Sequence, residues 1–129
     1  HVADVTDRAA LAKTLDEIRR TDGPISGVIH GAGVEIPCRM SKKKFENVKA
    51  TVCPKVDGTL ALMALTQNDP LRAFVAFGSN SGRFGGHGQA DYSLASEMQA
   101  KIVSWYRGVR PDVNACCSSG LRGTKLAWP

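Results

Sequence analysis

The chain has 129 residues, of which 43% are hydrophobic, and this length suits one ordinary domain with a buried core. Its 17 Lys and Arg residues outnumber 12 Asp and Glu, which gives a formal net charge of +5. The basic residues are not interleaved with aromatic ones and fit no reader motif, so we expect no nucleic-acid partner. Because no apolar run approaches the roughly 20 residues of a membrane span, we expect no membrane partner and a cytoplasmic location.

The cysteines and histidines indicate neither a metal site nor a disulfide framework. Cys38, Cys53, Cys116 and Cys117 lack the paired spacing of a zinc site and the density of a disulfide scaffold. We expect free thiols and no bound metal. His30 and His87 stand without an evident partner, so we assign them no catalytic role.

The first predicted element is a surface helix in the stretch TDRAALAKTLDEIRRTDG. Thr6 is the predicted N-cap, Leu11, Leu15 and Ile18 form an apolar stripe, and the helix is expected to stop at Gly23. Three short apolar runs further along the chain predict strands: ISGVIHGAG, LRAFVAFGS and VNACCSS.

Helices are predicted between these strands. Between the first two, one helical stripe is expected to be interrupted by Pro54 and then to resume; its apolar positions are Phe45, Val48, Val52, Val56, Leu60 and Met63. The longest predicted helix runs from Tyr92 to Arg107. Strands that alternate with helices predict an α/β fold with a parallel sheet and right-handed crossovers.

Small, glycine-containing stretches follow the first two predicted strands: HGAG at residues 30–33 and GSNSG at residues 78–82. In an open parallel sheet, ligands bind beyond the carboxyl ends of the strands, and glycine permits close approach of the backbone. Tight turns also favour glycine, and neither stretch is a full phosphate-binding motif. These stretches are therefore candidates for a ligand site and no more.

Ser79 ends the second strand, and Tyr92 begins the following helix thirteen residues later. Their two hydroxyls are expected to converge above the sheet. One hydroxyl would orient a carbonyl oxygen while the other delivers a proton, which is worth about 10²–10⁴ in rate. A tyrosine with an ordinary pKa of about 10 needs a nearby cation for this task.

The stretches GVIHGAGV, PKVDG and FGSNSGRFGGHGQADYSLA, in this order and spacing, resemble the ketoreductase domain of polyketide and polyunsaturated fatty acid synthases. This family lies within the short-chain dehydrogenase/reductase superfamily, and the similarity covers about residues 3–115. The resemblance implies a Rossmann-like, doubly wound parallel sheet. It also implies that Ser79 and Tyr92 are catalytic.

The resemblance further assigns the cation. Most short-chain reductases carry a lysine four residues after the tyrosine, where this chain has Ser96. Polyketide ketoreductases usually have a catalytic asparagine there and take their lysine from the PKVDG motif. The resemblance therefore implies Lys55 as the catalytic cation and places Ser96 at the fourth catalytic position, with a shorter polar reach.

For the cofactor, the resemblance implies NADPH. Asp4 and Val5 would lie near the adenine ring, and Gly31, Ala32 and Gly33 would line the dinucleotide. Lys55 and Tyr92 would contact the cofactor as well as the substrate. A helix-capping role is the competing interpretation of Asp4.

The family's first strand and its glycine-rich phosphate loop have no counterpart in this sequence. Residues 1–129 are therefore interpreted as the C-terminal portion of a ketoreductase domain, with an incomplete sheet, and we expect this portion alone to be inactive. After RPDVNACC, the chain departs from the family and reads SSGLRGTKLAWP. A divergent lid, a truncation and a shifted reading frame all remain open for this tail.

The resemblance implies that the whole domain reduces a β-ketoacyl group on an acyl carrier protein to the β-hydroxyacyl group. Its partners would be that carrier-bound substrate and the other domains of a multidomain synthase. Two alternatives stay open from the sequence. One is a non-catalytic reductase-like segment that supports a synthase's architecture, and the other is a free-standing reductase of small carbonyls.

Overall fold

The computed structural model describes residues 1–119. In chain order the elements are α1 (Arg8–Asp22), β1 (Gly27–His30), a 3₁₀ turn (Met40–Lys42), α2 (Phe45–Leu65), β2 (Ala73–Phe77), α3 (Ser81–Phe84), α4 (Ala90–Val109) and β3 (Asn114–Ser118). The tail that begins at residue 120, for which three interpretations remain open, lies outside the described residues.

The three strands form a parallel sheet in the order β1-β2-β3. Val28 pairs in register with Phe74, and Phe74 with Ala115, so these three side chains lie on one face of the sheet. All three are buried, whereas Ile29 on the opposite face is 75% exposed. The predicted α/β fold with a parallel sheet is confirmed, and the described helices pack on one of its faces.

One hydrophobic core joins this face to the three long helices. Leu11 and Leu15 come from α1, Leu62 and Met63 from α2, and Val103 and Tyr106 from α4. Phe74 is completely buried and its ring lies 5.7 Å from that of Tyr106, centroid to centroid. The core thus fixes α2 and α4 to the sheet, and the two helices pack against each other.

The first helix begins one residue later than the predicted cap implied. Asp7 is the N-cap, and its carboxylate accepts hydrogen bonds from the backbone N–H groups of Ala9 and Ala10, each at 3.0 Å. The Thr6 hydroxyl instead donates to Asp4 at 2.8 Å. Both residue types cap helices well, so the sequence favoured neither strongly. Gly23, with φ of 99°, ends the helix as predicted.

The predicted interruption at Pro54 is wrong, because α2 runs through it from Phe45 to Leu65. A proline inside a helix leaves the carbonyl four residues earlier without its donor. That carbonyl belongs to Ala50, which is exposed, so water can serve it. The predicted apolar stripe is also only partly buried: Val56 and Met63 are in the interior, whereas Phe45 is 71% exposed.

Candidate active site

The site is built at the carboxyl ends of β1 and β2, between α2 and α4. α2 supplies Lys55, which is only 3% exposed, and α4 supplies Tyr92 in its first turn. The Lys55 ammonium lies 5.4 Å from the centroid of the Tyr92 ring. The two residues that the resemblance paired as cation and acid are therefore neighbours, although 37 positions separate them.

The Lys55 ammonium is held by the end of a strand and by a helix. It donates to the Phe77 carbonyl at 2.7 Å and to the Gln99 side-chain oxygen at 3.4 Å. Burial lowers the pKa of Lys55 below its ordinary value. Burial therefore disfavours the charged form of the amine, whereas the two hydrogen-bond acceptors stabilise it.

Ser79 follows β2 by two residues and is half-buried. Its hydroxyl accepts a hydrogen bond from the Ser81 N–H at 3.2 Å, at the start of α3. Within residues 1–119 no hydrogen bond joins Ser79 to Tyr92. The predicted convergence of these two hydroxyls on one carbonyl oxygen therefore remains a prediction.

Ser96 lies one turn after Tyr92 and is 2% exposed, but its hydroxyl has no hydrogen-bond partner among the described residues. It packs against Gly82 of α3, where an added Cβ would lie 3.3 Å from the Ser96 Cβ. Glycine at this position allows α3 and α4 to approach closely. The contact from α4 to Lys55 comes instead from Gln99, three residues further along the helix.

Sequence reasoning missed Gln99. This side chain is fully buried, and its amide nitrogen donates to the Thr59 hydroxyl at 3.1 Å. Its position seven residues after Tyr92 puts it on the same face of α4 as Tyr92 and Ser96. The sequence signal for Gln99 was a polar residue on the predicted buried face of a helix. The sequence does not show which residue it contacts.

A second missed feature is a buried ion pair beside Tyr92. The Lys43 ammonium, from the segment after the 3₁₀ turn, lies 2.7 Å from the Asp91 carboxylate, and the two side chains are 3% and 4% exposed. Asp91 also accepts from the Tyr92 N–H at 2.9 Å. The pair ties the connection that follows β1 to the first turn of α4.

Four of the seven predicted cofactor residues line one cavity, and Gly31, Lys55 and Tyr92 do not. Asp4, Val5, Ala32 and Gly33 line one cavity of about 700 Å³, whose wall also includes Asp57 of α2. Gly31 does not line it; a Cβ there would lie 3.2 Å from the Phe77 ring. A Cβ on Gly33 would lie 3.3 Å from the Lys55 side chain, so glycine keeps this wall close to the cation.

A smaller cleft of about 380 Å³ lies at the start of α4, where Ala90 and Ser93 bracket Tyr92 in sequence. The connections after β1 and before α4 form its walls: Cys38, Arg39, Met40, Gly85, Gly86, His87 and Gly88. The Cys38 N–H donates to the Gly88 carbonyl at 3.0 Å, which joins the two walls. Gly88 has φ of 72° and its Cβ would meet the Cys38 backbone at 3.0 Å, so only glycine suits this position.

Other classes of site find no support in the described part of the chain. Residues 1–119 contain no cluster of three His, Cys, Asp or Glu side chains that could hold a metal ion. The four cysteines are free and half-buried. None of the helices described is both long and apolar enough to cross a membrane. His30 is buried, and its ring nitrogen Nε2 lies 3.0 Å from the Pro54 carbonyl, which indicates a packing role.

A parallel sheet with a lysine and a tyrosine brought together at its carboxyl edge, beside a cavity walled by glycine and alanine, defines a Rossmann-like α/β domain of the reductase kind. The sequence profile described as "KR domain" matches residues 1–117. The chain belongs to this family, the ketoreductase domains of polyketide synthases within the short-chain dehydrogenase/reductase superfamily.

Individual relatives agree with this assignment. Polyketide synthase PksL of Bacillus subtilis (strain 168) is 37% identical over 127 residues, which are 98% of this chain and 3% of that protein. The crystal structure of a ketoreductase domain from the bacillaene assembly line superimposes with a TM-score of 0.82 at 33% identity, covering 90% of this chain and 28% of that one. The chain therefore spans a small part of the length of these relatives.

Proposed function

We propose that the protein containing this chain reduces a β-ketoacyl group on an acyl carrier protein to the β-hydroxyacyl group with NADPH. The observation that carries the proposal is the position of the Lys55 ammonium, 5.4 Å from the centroid of the Tyr92 ring and anchored on the Phe77 carbonyl. A buried cation beside a tyrosine at the ligand-binding edge of a parallel sheet is suited to proton transfer at a carbonyl. The other parts of the proposal rest on membership of the family: the carrier protein, the neighbouring synthase domains and a cytoplasmic location.

The residues present fit a nicotinamide dinucleotide. The cavity of about 700 Å³ is large enough for part of such a ligand, and its walls include Asp4, Ala32 and Gly33. Hydrogen bonds from Thr6 lower the pKa of Asp4, so this wall carries a negative charge that can accept from an amino or hydroxyl group. When bound, the cofactor supplies the hydride.

In this proposal Tyr92 donates a proton to the carbonyl oxygen of the substrate. The positive charge of Lys55 stabilises the negative charge that develops on the Tyr92 oxygen as its proton is transferred. Ser79 orients the carbonyl oxygen through its hydroxyl, which is already held by the Ser81 N–H as an acceptor and so presents its proton outward. The cleft that Ala90 and Ser93 border is the proposed entry for the acyl chain.

A non-catalytic, architectural role is the second candidate, and one observation favours it. Ser96 occupies the family's asparagine position without any hydrogen-bond partner among residues 1–119. The polar contact that the family's asparagine would make from this position is then missing among these residues. The anchored Lys55 favours catalysis more strongly, because a buried amine is costly to keep where no chemistry needs it.

The test is Tyr92→Phe in the full-length protein. This change removes one hydroxyl and keeps the ring, so reduction of a β-ketoacyl thioester with NADPH should fall about 10²-fold or more in kcat. Binding of NADPH, measured by fluorescence titration, should stay near normal. Ser79→Ala should lower the rate in the same way, but less severely.

Tyr106→Phe is the matched control, because Tyr106 lies in the same helix and its buried hydroxyl also lacks a partner among the described residues. Its reduction rate should equal that of the unmodified protein. If Tyr92→Phe kept most of the activity, the assignment of the acid would be wrong. If the unmodified protein reduced no ketone, the architectural role would replace the catalytic one.

A further inference from the structure

Three buried residues between α2 and α4, Lys55, Thr59 and Gln99, are joined in a cycle by three hydrogen bonds, one of which ends on a backbone carbonyl. The Thr59 hydroxyl donates to the Lys55 backbone carbonyl, one helical turn before it. The Gln99 amide nitrogen donates to the Thr59 oxygen at 3.1 Å, and the Lys55 ammonium donates to the Gln99 amide oxygen at 3.4 Å. Thr59 and Gln99 are completely buried and Lys55 is 3% exposed.

The cycle has only one possible direction. Because the Thr59 hydroxyl donates its proton to the Lys55 carbonyl, its oxygen can only accept a hydrogen bond from Gln99. The amide nitrogen of Gln99 must therefore face Thr59, and its oxygen must face the Lys55 ammonium. Thr59 therefore orients the Gln99 amide, and the amide oxygen accepts a hydrogen bond from the Lys55 ammonium.

Apart from these acceptors, few groups near the Lys55 ammonium could stabilise its charge. No carboxylate in the described part of the chain pairs with Lys55. The titratable groups that face it are His30 from β1, Cys117 from β3 and Tyr92 from α4. Burial lowers the pKa of His30 and raises that of Cys117, so both favour their neutral forms. Neutral acceptors, rather than a counterion, must hold the charge.

We propose that Gln99 is the positioning residue for Lys55, supplying from α4 the polar contact that Ser96 does not make. Thr59 locks the amide, the amide oxygen and the Phe77 carbonyl fix the ammonium from two sides, and the ammonium is thereby kept beside Tyr92. The consequence for catalysis rests on the proposed reductase function. The placement of Lys55 itself does not.

Gln99→Met tests the placement, since methionine keeps the length and the packing but accepts no strong hydrogen bond. Losing an acceptor disfavours the ammonium, so the pKa of Lys55 should fall and its free-amine fraction should rise. At one pH below the Lys55 pKa of both the unmodified protein and the variant, trace labelling of Lys55 with acetic anhydride should increase about tenfold to a hundredfold, from the loss of one hydrogen bond to a charged group. Mass spectrometry of the full-length protein reports this labelling, with Lys101 of the same helix, 68% exposed at its side chain, as the internal reference.

Thr59→Val is the second variant, because it frees the amide without removing it and fills nearly the same volume. It should raise Lys55 labelling in the same direction by a smaller factor. In the Gln99→Met background it should add nothing, since both changes act through one amide. Met98→Leu, at a neighbouring exposed position, should leave the labelling unchanged.

The proposal would be overturned if Gln99→Met changed neither the rate of Lys55 labelling nor the pH dependence of that labelling. It would also be overturned if the effects of Gln99→Met and Thr59→Val on the labelling were fully additive. Both measurements are made without substrate or cofactor. A protein that reduces no ketone but shows the expected labelling would therefore refute the proposed function and leave the positioning role in place. Where reduction is observed, Gln99→Met should lower kcat and leave KM for the ketone nearly unchanged.

Discussion

The two halves of α4 bury side chains of opposite character. The first half buries three polar residues, Asp91, Ser96 and Gln99, together with Ala95, and the second half buries Val103 and Tyr106, which join the hydrophobic core. The first half holds Tyr92 and faces α2 and the carboxyl edge of the sheet. The comparison teaches that one rigid helix serves two tasks: its second half anchors it to the sheet, and its first half carries the site.

Burying polar groups costs free energy unless they find partners, so the first half should be sensitive to the loss of a partner. The second half should be sensitive to the loss of volume instead. Substitutions at Lys43, Val103 and Ser96 separate these two behaviours.

Lys43→Met should give the largest change in stability. It leaves the Asp91 carboxylate, whose side chain is 4% exposed, without its cation, and breaking a buried ion pair in this way costs about 3–5 kcal/mol. Urea unfolding of the full-length protein measures the loss. Lys42→Met, at an exposed neighbouring lysine, should change stability little.

A compensating change sharpens this prediction. Lys43→Met combined with Asp91→Asn removes the unpaired charge and keeps an acceptor for the Tyr92 N–H, so most of the lost stability should return. Equal stability of Lys43→Met and Lys42→Met would mean that the ion pair does not fasten the first half of α4.

The contrast between the halves also explains what the sequence could predict. The three strands and α4 follow from short apolar runs and one long helical period, which are local signals. The predicted roles of Tyr92 and Lys55 come from the motifs that carry the family resemblance. The contact between Lys55 and Gln99 joins residues 44 positions apart, and no local pattern states which buried polar group meets which.

The errors in the helices have equally physical causes. Pro54 is tolerated because the carbonyl left without its donor belongs to Ala50, which is exposed, and the exposure of a residue is a tertiary property. Thr6 and Asp7 are both good caps, and the choice between them depends on Asp4, which engages the Thr6 hydroxyl. Element types were therefore predictable, whereas partners and exact ends were not.

Val103→Ala should give an intermediate effect that tests the anchoring half. Val103 is 1% exposed in the core, and removing its methyl groups should lower the free energy of unfolding by about 2 kcal/mol. Urea unfolding measures this loss, and Val109→Ala, at a position 51% exposed, is the matched control. The pH dependence of ketone reduction should be the same as in the unmodified protein. A shifted pH profile in Val103→Ala would show that the second half belongs to the site as well.

Ser96→Ala should give the smallest effect, and its sign is the informative part. The Ser96 hydroxyl is buried and lacks a partner among the described residues, so the folded protein bears a desolvation cost that alanine removes. Alanine also keeps the Cβ that packs against Gly82. We therefore expect stability by urea unfolding to stay the same or to rise by up to about 1 kcal/mol.

Ser96→Asn is the informative counterpart, because it restores the residue type that the family usually has at this position. The larger side chain must fit beside Gly82, where even an added Cβ would lie only 3.3 Å from the Ser96 Cβ, so it should overpack the contact between α3 and α4 and lower stability by about 1–3 kcal/mol. If Ser96→Ala were instead destabilising by more than about 1 kcal/mol, the hydroxyl would have a partner in the folded protein. Ser96 would then join Asp91 and Gln99 as a buried polar group whose partner the fold supplies.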